Sequence, residues 1–266
     1  MIRDITLGQY YRGNSCIHRI DPRIKIIITL VYIISLFIVN NFVGFGVAFL
    51  LMSATIILSK VPLRFMLRGL KPIFFIIVFT FLLNLFMYDG TILWKVGFLK
   101  ITEEGLYTAL FMAIRLIFLI IGSSLLTLTT RPISLTDGIE SLLSPLKKVG
   151  VPSHEIAMMM TIALRFIPTL MEETDKIMKA QQARGADFET GNLFQRAKNL
   201  IPVLVPLFIS AFRIAQDMAL AMEARCYRGG EGRTRMNSMK MDGKDAVVVI
   251  ILILYLLAVV ATRVIL

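Results

Sequence analysis

Long apolar segments recur along this chain, and no other feature restricts its fold so severely. They cover residues 24–39, 42–59, 72–88, 106–128 and 246–265. The hydrocarbon core of a bilayer is roughly 30 Å thick and requires about 20 mostly apolar residues per helical crossing. A crossing segment must satisfy its backbone hydrogen bonds internally, so each run predicts a helix. The 266 residues are 56% hydrophobic with a mean hydropathy of +0.75, far too apolar for a soluble domain. The expected fold class is an all-α integral membrane protein with about five transmembrane helices.

The net charge of +11 is distributed unevenly. Arg3, Arg12, Arg19, Arg23 and Lys25 gather at the entry to the first span. Lys60, Arg64, Arg68 and Lys71 fill the connection between the second and third, with no acid among them. The other short loop, 89–105, sets Asp89, Glu103 and Glu104 against Lys95 and Lys100. Lysine and arginine are retained on the cytoplasmic side of spans. That rule predicts a cell-membrane, multi-pass protein whose N-terminus, 60–71 loop and residues 131–244 are cytoplasmic. The 89–105 loop and the C-terminus then lie outside. The basicity reports topology, and no nucleic-acid partner is expected.

The expected organisation has three parts: an arm and four spans over 1–130, a helical cytoplasmic domain over 131–244, and a last span over 245–266. The first apolar run follows a charged lead and lacks a small-residue cleavage pattern, so it is expected to remain as a span. Asp21-Pro22 suits a helix start, because Asp caps free amides and Pro fits the first helical position. Asn40-Asn41 predicts a tight turn between the first two spans. Pro62 and Pro72 bracket the second cytoplasmic connection.

Residues 131–244 hold two further apolar stretches, 156–170 and 200–215. Met160, Leu164, Ile167, Met171 and Met178 recur at helical spacing, with Arg165, Glu172, Lys176 and Lys179 on another face. In the second stretch Leu204, Phe208, Ala211, Ala215, Met218 and Met222 form the stripe, and Arg213 and Asp217 are spaced to pair. A clear charged face favours two long amphipathic crossing helices at the cytoplasmic side. The competing reading makes both stretches true spans and places Arg184 outside. Pro168, Pro202 and Pro206 predict kinks or breaks. The striped residues are the candidate face for packing between helices or against a membrane partner, and Ala211 and Ala215 would let two helices cross closely.

Each stretch ends on an arginine: Ala183-Arg184-Gly185, then Ala224-Arg225-Cys226. A guanidinium is planar, permanently charged and rich in donors, which suits carboxylates or exposed carbonyls of a partner. Alanine permits close approach, and Gly185 can take the left-handed conformation that closes a helix. A single basic residue there would be accounted for by the helix dipole. Two such ends on methionine-rich helices point to docking, since thioethers adapt to several surfaces.

Arg115, ionisable within the fourth span, is either functional or paired with a polar group on a neighbouring helix. Cys16 and Cys226 give no disulfide framework, and His18 and His154 sit in polar contexts near helix starts. No phosphate loop, HExxH, GxSxG or paired CxxC is present. The residues therefore predict a non-catalytic protein with no cofactor and no metal site.

Three stretches of the chain resemble one family. These are Ser15-Cys16-Ile17-His18-Arg19-Ile20-Asp21-Pro22-Arg23-Ile24-Lys25, Gln182-Ala183-Arg184-Gly185-Ala186-Asp187-Phe188, and Ala221-Met222-Glu223-Ala224-Arg225-Cys226-Tyr227 with Gly232-Arg233-Thr234. Together they are similar to the transmembrane T component of energy-coupling factor (ECF) importers for vitamins, micronutrients or metals. The resemblance implies two cytoplasmic ABC-type ATPase subunits and a membrane S component that binds substrate. The T component would couple them, with Ala183, Arg184 and Gly185 as one ATPase-docking motif and Ala224, Arg225 and Cys226 as the other. Cys226 departs from the family's usual glycine. The alternative is a self-contained multi-pass permease, which would place polar groups at mid-span in several helices. A membrane-embedded enzyme would require convergent polar side chains at one depth.

Overall fold

The computed structural model describes residues 10–87, 90–96, 99–188, 190–230 and 243–265. Asp21 and Pro22 start the first helix as expected: the Asp21 carboxylate accepts the Arg23 amide at 2.9 Å, and Pro22 opens α1 (Pro22–Ile38). The turn at Asn40-Asn41 leads into α2 (Phe42–Ser59). Pro72 falls in a joint between two helices, α3 (Leu63–Leu70) and α4 (Phe74–Met87), bent 60° to each other.

Next come two antiparallel strands, β1 (Ile92–Val96) and β2 (Leu99–Thr102), paired from Ile92 with Thr102 to Val96 with Leu99. This hairpin replaces the plain loop expected there. It ends on Thr102, whose hydroxyl accepts the Gly105 amide and starts α5 (Glu103–Thr129). The chain continues through α6 (Pro132–Leu143), α7 (Ser153–Ala183), α8 (Leu193–Asn199), α9 (Ile201–Ala224) and α10 (Gly243–Ile265). Apart from that hairpin the described elements are helical, and the protein is all-α.

Among the described residues, four stretches are long and apolar enough to cross a bilayer alone: α2, α5, Phe194–Ala224 and Asp245–Val264. The bent pair α3–α4 makes a fifth if counted as one broken span. The number matches the expectation, but the membership differs. Helix α1, with 17 residues, is at the short end of what spans. The stretch containing α9, expected to be an amphipathic helix, passes on apolarity.

The described chain divides into two compact units, residues 10–138 with 243–265 and residues 139–230. In the first, α1, α2, α5 and α10 close on one core of Tyr32, Leu36, Val39, Phe45, Ala48, Met52, Phe111, Phe118, Leu252, Tyr255 and Val259. The Phe45 ring meets Phe111 at 4.5 Å and Phe118 at 5.8 Å, both edge-on. Gly122 lets α5 approach α1, since a Cβ there would come within 2.5 Å of the Tyr32 ring. A second cluster, Val61, Met66 and Leu128 with the half-buried Tyr11, holds α3 and the N-terminal arm to the end of α5.

Arg115 has a structural partner. Its guanidinium donates to the Val39 carbonyl at the end of α1 (2.9 Å) and lies over the rings of Phe111 and Phe37. One cation thus caps a carbonyl that α1 leaves free.

In the other unit α7 packs against α9. Pro168 and Pro206 lie inside continuous helices and break neither, whereas Pro202 opens α9 just past the break after α8. Pro206 has no amide to offer the Pro202 carbonyl four residues earlier. That carbonyl instead accepts from the Gln181 side chain of α7, at 3.4 Å. The missing donor leaves room for an interhelical bond.

Candidate docking site at two helix ends

The two arginine motifs fold into the same closing turn. At the end of α7 the Gly185 amide donates to the Gln182 carbonyl (2.9 Å) and the Ala186 amide to Gln181 (2.9 Å). At the end of α9 the Cys226 amide donates to Glu223 (2.8 Å) and the Tyr227 amide to Met222 (3.0 Å). Arg184 and Arg225 occupy matching backbone conformations, φ −90° and −91°. The residue after each is left-handed, with φ +88° at Gly185 and +53° at Cys226. Cysteine therefore takes the glycine's conformation, at a cost in backbone strain, and keeps the cap.

Ala183, Arg184, Gly185, Ala224, Arg225 and Cys226 are all exposed. Among the described residues neither guanidinium has an ion pair or hydrogen-bond partner. Two unengaged cations held on rigid caps are suited to charge-assisted bonds with a partner's carboxylates or carbonyls.

The tips are also far apart. Gln181, three residues before Arg184, touches Pro202 at the start of α9, whereas Arg225 closes its far end. At 1.5 Å per residue that is on the order of 30 Å.

The striped residues divide. Met160, Leu164, Met171 and Met178 of α7 are half-buried, as are Ala211, Met218 and Met222 of α9. Leu204, Phe208 and Ala215 are exposed, and Val203 is buried in their place. The first turns of α9 are apolar nearly all round, so spacing alone did not choose the buried side. Arg213 and Asp217 are both exposed, and no ion pair joins them.

The sequence did not reveal how the arm is locked to the helices of its own unit. Lys25 is buried, and its ammonium donates to the carbonyls of His18 (3.3 Å) and Thr129 (3.1 Å). The Asp21 amide donates to the Asp245 carboxylate (3.1 Å), joining α1 to α10. His18 bonds Ser15 through Nδ1 and the Tyr11 carbonyl through Nε2. Burial pushes this imidazole below its usual range; the Tyr11 carbonyl opposes the shift and Lys25 adds to it. The only signal for this lock in the sequence was charged residues at helix starts flanked by apolar runs. His154 pairs with Glu140 at 3.1 Å within the other unit. Among the described residues no cluster of potential metal ligands is found.

The helices and their apolar surfaces define a multi-pass membrane protein. A family model described as CbiQ, cobalt transport protein, matches residues 13–236. The chain is 62% identical over 244 residues to a protein of Thermosediminibacter oceani, covering 92% of each chain. It is 64% identical over 249 residues to one of Clostridium kluyveri, again 92% of each. A Bacillus subtilis protein is 49% identical over 254 residues, 95% of this chain and 96% of that one. All three are named energy-coupling factor transporter transmembrane protein EcfT. The chain belongs to this family of transmembrane T components of ECF transporters.

Proposed function

We propose that the chain couples two ABC-type ATPase subunits to a substrate-binding S component in an importer of a vitamin, micronutrient or metal. The paired arginine caps carry this reading: two similarly closed, exposed, cationic helix ends set a helix length apart, one for each ATPase. The residues around 131–244 form the coupling domain, on the cytoplasmic side. The N-terminal arm with its four transmembrane helices, 1–130, and the last span, 245–266, hold it to the bilayer. The chain itself is non-catalytic, and ATP is hydrolysed on the partners.

Closure of the ATPases on ATP moves the tips, and the packed bodies of α7 and α9 carry that motion to the S component. Exposed Leu204 and Phe208 offer that partner an apolar seat, while the half-buried stripe holds the two helices together. Both tips reach cytoplasmic subunits only if α9 lies along the membrane. As a crossing helix it would put Arg184 and Arg225 on opposite faces. A self-contained permease finds less support. Arg115 is occupied by Val39, and the Asn84 side chain donates to the Thr80 carbonyl of its own helix.

Co-purification of the ATPases with the complete complex tests the reading. Arg184→Ala or Arg225→Ala should weaken their retention roughly tenfold or more, as expected when a buried arginine anchor is lost. The double variant should still insert in the membrane but lose ATP-driven uptake. Full retention and uptake in the double variant sinks the proposal. So does labelling of Arg184→Cys by a membrane-impermeant maleimide from outside the cell.

A further inference from the structure

Helix α3 carries a surface that the coupling role does not use. Its eight residues present three distinct faces. Met66 is buried, and Gly69 comes so close to α5 that a Cβ would meet the Ser124 hydroxyl at 2.8 Å. Leu63 and Leu67, one turn apart, are 60% and 58% exposed. Arg64 and Arg68, also one turn apart, form an exposed cationic row beside the leucines. Lys60 and Lys71, exposed at either end, complete a run of four cations without an acid between 60 and 71.

The neighbouring helix sets the depth of this surface. Helix α4 begins with Phe74 and Phe75, 64% and 78% exposed, so apolar outward surface starts three residues after Lys71. With α4 crossing the bilayer, the 60° bend lays α3 towards the membrane plane. A leucine row then faces acyl chains and the arginine row the headgroups, the arrangement of interfacial amphipathic helices. The position is fixed, because the Tyr11 ring packs on Phe65 at 5.4 Å and Arg68 lies over the same ring at 5.2 Å.

We propose that α3, with Lys60 and Lys71, is an interfacial site selective for anionic phospholipid. The leucine row supplies affinity for any bilayer edge. The four cations supply the preference for a negative headgroup, because several basic side chains at a membrane surface concentrate anionic lipid. The leucine row, continuous with the apolar start of α4, fits acyl chains, and the cations beside it fit the phosphate headgroups at the same depth.

The test uses the full chain with Trp94→Phe, which removes the single tryptophan, and with Leu67→Trp at the exposed site. It is reconstituted in vesicles containing brominated phosphatidylglycerol or, at the same mole fraction, brominated phosphatidylcholine. Phosphatidylglycerol should quench about threefold more strongly, and the difference should shrink at high salt as screening shortens the reach of the charges. Lys60→Gln, Arg64→Gln, Arg68→Gln and Lys71→Gln together should equalise the two lipids while quenching persists. Equal quenching before those changes, a preference that survives them, or no quenching by either lipid overturns the proposal. Native mass spectrometry of the chain with its natural Leu67 and Trp94 provides a second measurement. Phosphatidylglycerol adducts should outnumber phosphatidylcholine adducts, and equal numbers overturn the proposal.

Discussion

In residues 10–138 and 243–265 the rings of Phe45, Phe111 and Phe118 close on one another inside a helix cluster. In residues 139–230, Phe208 and Phe212 are 63% and 69% exposed, and Ala157 and Val203 are the buried apolar side chains among the described residues. The two units use their apolar residues differently. One fills its own interior. The other holds two long helices together along a single seam and leaves most of its apolar surface to lipid or to another protein. Packing supplies most of the stability in a bilayer, where apolar surface gains little by leaving lipid for protein.

Matched truncations would break or sharpen this contrast. Phe45→Ala should cost about 3–5 kcal/mol, as expected for a buried ring, and lower the melting temperature of the purified chain sharply. Phe208→Ala should stay within about 0.5 kcal/mol, as for a surface position, and a comparable loss would show that α9 is packed like a core helix. Gly122→Ala presses a methyl group on the Tyr32 ring and should cost about 1–3 kcal/mol by overpacking. An unchanged melting curve would mean that α1 and α5 separate more easily than their packing indicates.

The caps should give smaller effects than Phe45 or Gly122. Gly185→Ala places a side chain at φ +88° and should destabilise by about 1 kcal/mol. Cys226→Gly relieves strain but adds freedom to the unfolded chain, so a net gain of about 0.5 kcal/mol is expected in a chemical-denaturation series. Equal effects at both sites would mean that the turns are not equivalent.

The apolar runs gave the helices legibly, and Asp21-Pro22 and Asn40-Asn41 gave their punctuation, because caps and turns depend on a few adjacent residues. The arginine motifs were legible as helix ends for the same reason. The bend at Pro72 and the continuity of α7 and α9 through Pro168 and Pro206 were not. A proline removes one bond, and whether the helix yields depends on what lies across from it. For Pro202 that is Gln181, distant in sequence. The buried side of α9 was missed because its first turns are apolar on nearly every face.

Sequence by itself determined that the chain lives in a bilayer, roughly where its long apolar helices run, and that two helices finish on arginine. Local backbone chemistry and the width of hydrocarbon suffice for these. Only the tertiary structure decided that Cys226 reproduces the cap of Gly185, that Arg115 serves the end of α1, and that the two tips sit at opposite ends of α9. Those facts depend on which distant residues meet, and a linear pattern carries no record of the partner.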